Sequence, residues 1–166
     1  QNTLNFKMLR NDTLDIALGG TTGKPVALPQ VIIFNDDGTP NLTNVASAAA
    51  VTGNLISIED AYIADEFDFS GTKAFDDSTG YRSVSFLTVP LKNHEGDVIG
   101  VLQLLNAKEP GTERVVPFQE DTQKLIEALA SQAAISLENK LLLKAQRDLL
   151  DAFIELIAGA IDAKSA

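Results

Sequence analysis

Cysteine is absent from all 166 residues. That excludes a disulfide framework, a thiol redox centre, a cysteine-linked chromophore and a zinc–cysteine cluster. Cations are scarce: 13 Lys and Arg stand against 23 Asp and Glu, for a net charge of −10. Since Lys and Arg supply most of the affinity for a phosphate backbone, this balance argues against nucleic acid as a partner. There is one histidine, His94, in a polar turn where a solvated side chain is expected. A nucleophile–base pair would need that histidine or a carboxylate pair of shifted protonation, and no spacing marks one. The acidic residues are scattered as on a solvated face, which gives no metal cluster. "GGTTGKP" has the flavour of a phosphate loop, but its glycine spacing is wrong and Pro25 stands where a magnesium-binding hydroxyl belongs. No run of 18 apolar residues occurs, and "QNTLNFKMLR" lacks the apolar centre of a signal peptide, so a cytoplasmic location is expected.

What is present suits one domain: 45% of the residues are hydrophobic, enough for a real core. "NFKMLR" and "LDIALGG" read as two short strands around an Asn-Asp turn, followed by a Gly-, Pro- and Thr-rich loop from Gly19 to Pro29. "TNVASAAAVTGN" reads as a short helix, capped by Thr43 or Asn44 and stopped at Gly53. "LISIEDAY" reads as a brief strand leading into a long connection from Asp60 to Gly80. A loop of that length is a candidate lid or binding wall. Ser83 to Leu91 and Val98 to Asn106 read as a central hairpin, with Gly96 supplying the positive backbone angle of its turn. From Phe118 onward the pattern is helical, opened by Glu120 and Asp121, with no proline after it. Leu129, Ser136, Leu143, Leu150 and Ile157 recur every seven residues, beside a row of Ile126, Ala133, Lys140, Arg147, Ile154 and Ile161. The small residues of the first half suit packing on a sheet, and the large ones of the second half call for another helix.

The run "FDDSTGYRSVSFLTVPLKNHEGDVIGVLQLLNA", residues 75–107, resembles GAF domains of cyclic-nucleotide phosphodiesterases, nucleotide cyclases and bacterial signalling proteins, through "TGYRS", "VPLKN" and "GVLQLLN" in that order. "NVASAAAVTGNLISIEDAY" and "LIEALASQAAISLENKLL" are similar to the family's elements on either side, extending the resemblance to about residue 143. It implies an α/β (α+β) fold: an antiparallel sheet with helices on one face and a small-molecule pocket on the other, the family's first helix and strand being absent here, and a long C-terminal signalling helix. It implies ligand contacts at Asp76, Thr79, Ser83 and Gln103, with Val45 and Ala46 beside a bound base and Arg82 nearby. An Asp, two hydroxyls and an amide next to an apolar slot would meet a purine's edge. Alternatives remain for each: Asp76 as the cap of the "DDSTG" turn, Arg82 paired with Asp76 or Asp77, Gln103 with a backbone or water partner, and Tyr81, Phe67, Phe69 and Phe75 as core. Where cyclic-nucleotide-binding members carry an Asn-Lys pair and later an Asp-Glu pair, this chain has Asn106-Ala107 and Gln119-Glu120.

The last stretch, "LLDAFIELIAGAIDAKSA", is similar to the opening helix of an HD-GYP or related HD phosphohydrolase domain. The resemblance therefore divides the chain into a GAF sensory domain, residues 1–143, and a linker helix with the start of an HD-type output domain, residues 144–166. The expected function is regulatory: a small molecule, such as a cyclic nucleotide, reorders the lid and thereby biases an attached phosphohydrolase through the helix. No catalytic residue and no resident cofactor is expected in this segment. A homodimer through the C-terminal helix is the expected assembly. In the alternative, the pocket is vestigial and the domain serves to dimerise and couple two outputs.

Overall fold

A computed structural model describes residues 2–164, and the side chains of 2–158. Its frame is a three-stranded antiparallel sheet of β5 (Ile56–Ile58), β6 (Phe86–Lys92) and β7 (Val98–Leu105), ordered β5-β6-β7. The hairpin expected from the sequence forms in the register Phe86↔Leu105 and Thr88↔Gln103, and Gly96 takes φ 90° in its turn. β6 is its central strand and β7 lies at the edge. Three two-stranded ladders accompany it: β1 (Thr3–Leu4) with β4 (Val31–Ile32), β2 (Met8–Asn11) with β3 (Ile16–Gly19), and β8 (Ala107–Lys108) with β9 (Val115–Val116).

Alternation along β6 divides the core in two. Leu87 and Val89 join Phe118, Ala130, Leu102 and Leu104 on one face, which the long helix α3 (Glu120–Lys164) covers. Ala130 and Ala134 are buried and small, so the helix lies close against the strands. Phe86 points to the other face, into a cluster with Val45, Ile58, Ala61 and Phe69. Here α1 (Val45–Thr52) covers the sheet, and Phe69, the residue before α2 (Ser70–Thr79), packs into the same cluster. α1 is bounded as its sequence dictates: the Asn44 carboxamide accepts from Ala46 and Ser47 N–H at 3.0 and 3.2 Å, and Gly53 ends it at φ 66°.

Two expectations need correction. The connection from Asp60 to Gly80 is not irregular throughout, since its second half is α2, closed by Gly80 at φ 70°. The strand expected from Ser83 pairs only from Phe86, because its neighbour in the ladder ends at Leu105 and the next residue, Asn106, adopts φ 56°. The Asn106 N–H still reaches Ser85 O at 2.7 Å, and Ala107 N–H reaches Ser85 Oγ at 3.2 Å, so the segment stays attached to the sheet without continuing it. α3 runs unbroken across the expected boundary at 143–144. Ser165 and Ala166, and the side chain of Ile161, lie outside the described residues. Among the described residues no helix is long and apolar enough to cross a membrane.

Candidate functional site

The segment between β5 and β6 is tied together by one carboxylate. Asp76, in the middle of α2, is 1% exposed. Its Oδ2 accepts from Ser83 N–H at 2.6 Å and from the Tyr62 hydroxyl at 2.8 Å, and its Oδ1 accepts from the Ser83 hydroxyl at 2.8 Å. Asp76 therefore does not cap the "DDSTG" turn: it joins α2 to the approach to β6 and to the loop after β5. The Tyr62 phenol is held above its ordinary value, first by its hydrogen bond to Asp76, then by burial and the carboxylate's charge. Over the Tyr62 ring lies the Arg82 guanidinium, 3.9 Å from the centroid, with Lys73 Nζ at 5.5 Å. Arg82 thus stacks on an aromatic face, where pairing with Asp76 or Asp77 was the alternative expected.

A second polar junction lies beside it. The Asn106 side chain accepts from Val84 N–H at 2.7 Å and donates to Arg82 O at 2.7 Å and to the Tyr81 hydroxyl at 3.0 Å. Asn106 and Asp76 together fix both ends of residues 81–84.

Of the residues expected to meet a ligand, Asp76 and Ser83 are in direct contact, and Arg82 joins them through Tyr62. The Thr79 hydroxyl donates back to Phe75 O at 2.9 Å within its own helix. Gln103 donates to the Thr88 hydroxyl at 3.3 Å on the face that carries Phe86. Val45 is buried against that same face, among Phe86, Ile58 and Phe69, while Ala46 next to it is partly exposed. Phe69 is core, its ring centroid 5.2 Å from that of Phe86, and Phe67 packs against the same cluster. A depression of about 310 Å³ opens between the β2–β3 hairpin and α2, walled by Leu9, Leu18, Leu28 and Phe75. It borders α2 at Phe75 and contains none of the expected ligand residues. Tyr62 and Asn106 were not singled out as site residues in the sequence. Their roles depend on partners 14 and 22 positions away, and no local pattern marks them.

The sequence model of the GAF domain family matches residues 17–137. The chain belongs to the GAF domain family. This GAF domain is 32% identical over 95 residues to a dual 3′,5′-cyclic-AMP and -GMP phosphodiesterase 11A of Takifugu rubripes, covering 57% of the chain and 10% of that protein. It is 30% identical over 95 residues to a cGMP-specific 3′,5′-cyclic phosphodiesterase of Drosophila virilis, with the same two coverages. The chain spans about a tenth of the length of these curated relatives. A solved structure described as that of the GAF domain matches 69% of the chain and 52% of its own length at 16% identity, with a TM-score of 0.42.

Proposed function

We propose that this GAF domain is a regulatory small-molecule sensor whose ligand settles on the sheet face bearing Thr88 and Gln103, under the lid formed by residues 60–83. The supporting observation is the alternation on β6. Phe86 and Thr88 face the lid side while Leu87 and Val89 contact the α3 side, so one strand contacts both the element a ligand would order and the helix that would report it. The ligand is a cyclic nucleotide or a related planar, hydrogen-bonding molecule, met by Thr79, Ser83 and Gln103, with Val45 and Ala46 beside its ring. Asp76 holds Ser83 in place, its three internal donors leaving it little capacity for a ligand. α3 passes the change to an attached output domain, and the resemblance of its last residues makes that domain an HD-type phosphohydrolase.

The test is a thermal-shift screen with cyclic AMP, cyclic GMP, free purines and amino acids. A ligand that binds only the folded state adds about 2.7 kcal/mol at 100 times its dissociation constant. The expected result is a shift with a purine-class compound that Gln103→Leu reduces. No shift at millimolar concentration would overturn the reading.

One observation favours the second reading, a dimerising module with a vestigial pocket. Leu129, Leu143, Leu150 and Ile157 lie 45–60% exposed along α3 in one seven-residue register, interrupted at Ser136, the pattern of a coiled-coil seam.

A further inference from the structure

The turn joining β6 to β7 is fastened to the middle of α3 by two side chains. Asn93 Nδ2 donates to Glu138 Oε1 at 2.9 Å, and His94 Nδ1 lies 2.7 Å from Glu138 Oε2. Asn93 is itself held, because its Oδ1 accepts from Glu95 and Asp97 N–H at 3.0 and 2.8 Å. One amide therefore organises the turn with its oxygen and grips the helix with its nitrogen. Glu138 is 17% exposed, and every residue of α3 from Asn139 to Ala158 is exposed. The bridge thus sits where the helix parts from the domain. His94, expected to be a solvated histidine, is one half of it.

We propose that Asn93, His94 and Glu138 form a clamp that fixes the point at which α3 leaves the domain, coupling the β6–β7 hairpin to whatever the helix drives. The inference goes beyond the ligand reading and does not depend on it. The clamp responds to pH through one half only. The charged groups facing His94 are Glu138 on α3 and Glu95 in its own turn. The charged group acting on Glu138 is His94, and the neutral Asn93 amide adds a hydrogen bond. His94 is raised from its ordinary 6.5, first by its hydrogen bond to Glu138, and Glu138 is lowered from 4.5, first by His94. For the histidine, stabilisation is complete below about 6.5 and is lost as pH rises through its folded value. For the carboxylate, it is present above about 4.5 and is lost as pH falls through its folded value. The ion pair is therefore intact in mildly acidic solution and released in alkaline solution, while the Asn93 bond remains in both.

The experiment combines two readouts on the whole chain. Because His94 is the sole histidine, one imidazole proton resonance reports its titration, and Glu138→Gln should return it toward the ordinary value. Hydrogen exchange of the α3 amides around residues 131–142, corrected for intrinsic rate, reads the clamp itself. With His94 largely solvent-facing, local opening should be about two- to fivefold more frequent at pH 8.5 than at pH 6. His94→Gln should abolish that pH dependence, and Glu138→Gln should give the faster exchange at both values. A wild-type helix whose exchange does not change with pH, or a His94 resonance that ignores Glu138→Gln, would overturn the proposal. The wild-type comparison decides it even where a variant folds poorly.

Discussion

Replacing Asp76 with alanine leaves three donors without an acceptor: the Ser83 N–H, the Ser83 hydroxyl and the Tyr62 hydroxyl. Hydrogen bonds to a charged acceptor each contribute about 1.5–3 kcal/mol, but the three losses do not simply add. The Ser83 hydroxyl can rotate and the half-buried Tyr62 can turn toward water, whereas the Ser83 N–H is fixed by the backbone. The expected destabilisation is roughly 3–5 kcal/mol, toward the upper end of what single substitutions do. For a chain of this size that lowers Tm by on the order of 10–15 °C. Asp76→Asn, which keeps the shape and one acceptor oxygen, should lose about 1–3 kcal/mol, and Tyr62→Phe about 1 kcal/mol. Urea unfolding is the assay: the midpoint should fall in that order with the slope unchanged, so that the difference is one of stability and not of denatured-state compactness. If Asp76→Ala unfolds within about 0.5 kcal/mol of wild type, the buried carboxylate does not hold the lid together. A lost ligand response in such a variant would assign Asp76 to the ligand instead.

Asn106→Ala should destabilise by roughly 2–4 kcal/mol in the same assay, since it removes three hydrogen bonds and places alanine in a left-handed conformation. Asn106→Gly loses the same bonds without the backbone strain and should be milder by about 1 kcal/mol; the opposite order would contradict the role given to the backbone angle. Leu143→Glu combined with Leu150→Glu should convert an associating chain to monomer in sedimentation while moving domain stability by no more than about 0.5 kcal/mol, because both side chains are exposed. A wild-type chain that sediments as a monomer would remove the dimer reading.

Elements with local punctuation were legible in the sequence. α1 carries its own start and stop at Asn44 and Gly53, the β6–β7 hairpin its turn glycine, and α3 its acidic first turn. α2 was not legible, and its composition shows why. Gly71, Thr72, Asp76, Asp77 and Thr79 are poor helix formers, and the residue at its N-cap is Phe69, which supplies no side-chain cap. Tertiary contacts supply what propensity lacks: Phe69 against Phe86, and Asp76 against Ser83 and Tyr62. Asp68 helps locally, its carboxyl held below the ordinary value by hydrogen bonds from Ser70. At the site, "TGYRS" contains Tyr81, Arg82 and Ser83, which the structure joins to Asn106, Tyr62 and Asp76. The stacking of Arg82 on Tyr62 and the capture of Glu138 by His94 join residues 20 and 44 positions apart, a separation no window of sequence reports.

The free portion of α3 gives the domain mechanical advantage. From Glu138 to Lys164 the helix projects roughly 40 Å at 1.5 Å per residue. Over that length a tilt of about 5° at the root moves the far end by roughly 3.5 Å. Such a lever converts a displacement too small to repack the core into a several-fold larger one at its far end. Its motion is set by how firmly the root is held, so stiffness at a single turn governs the amplitude of movement at the opposite end.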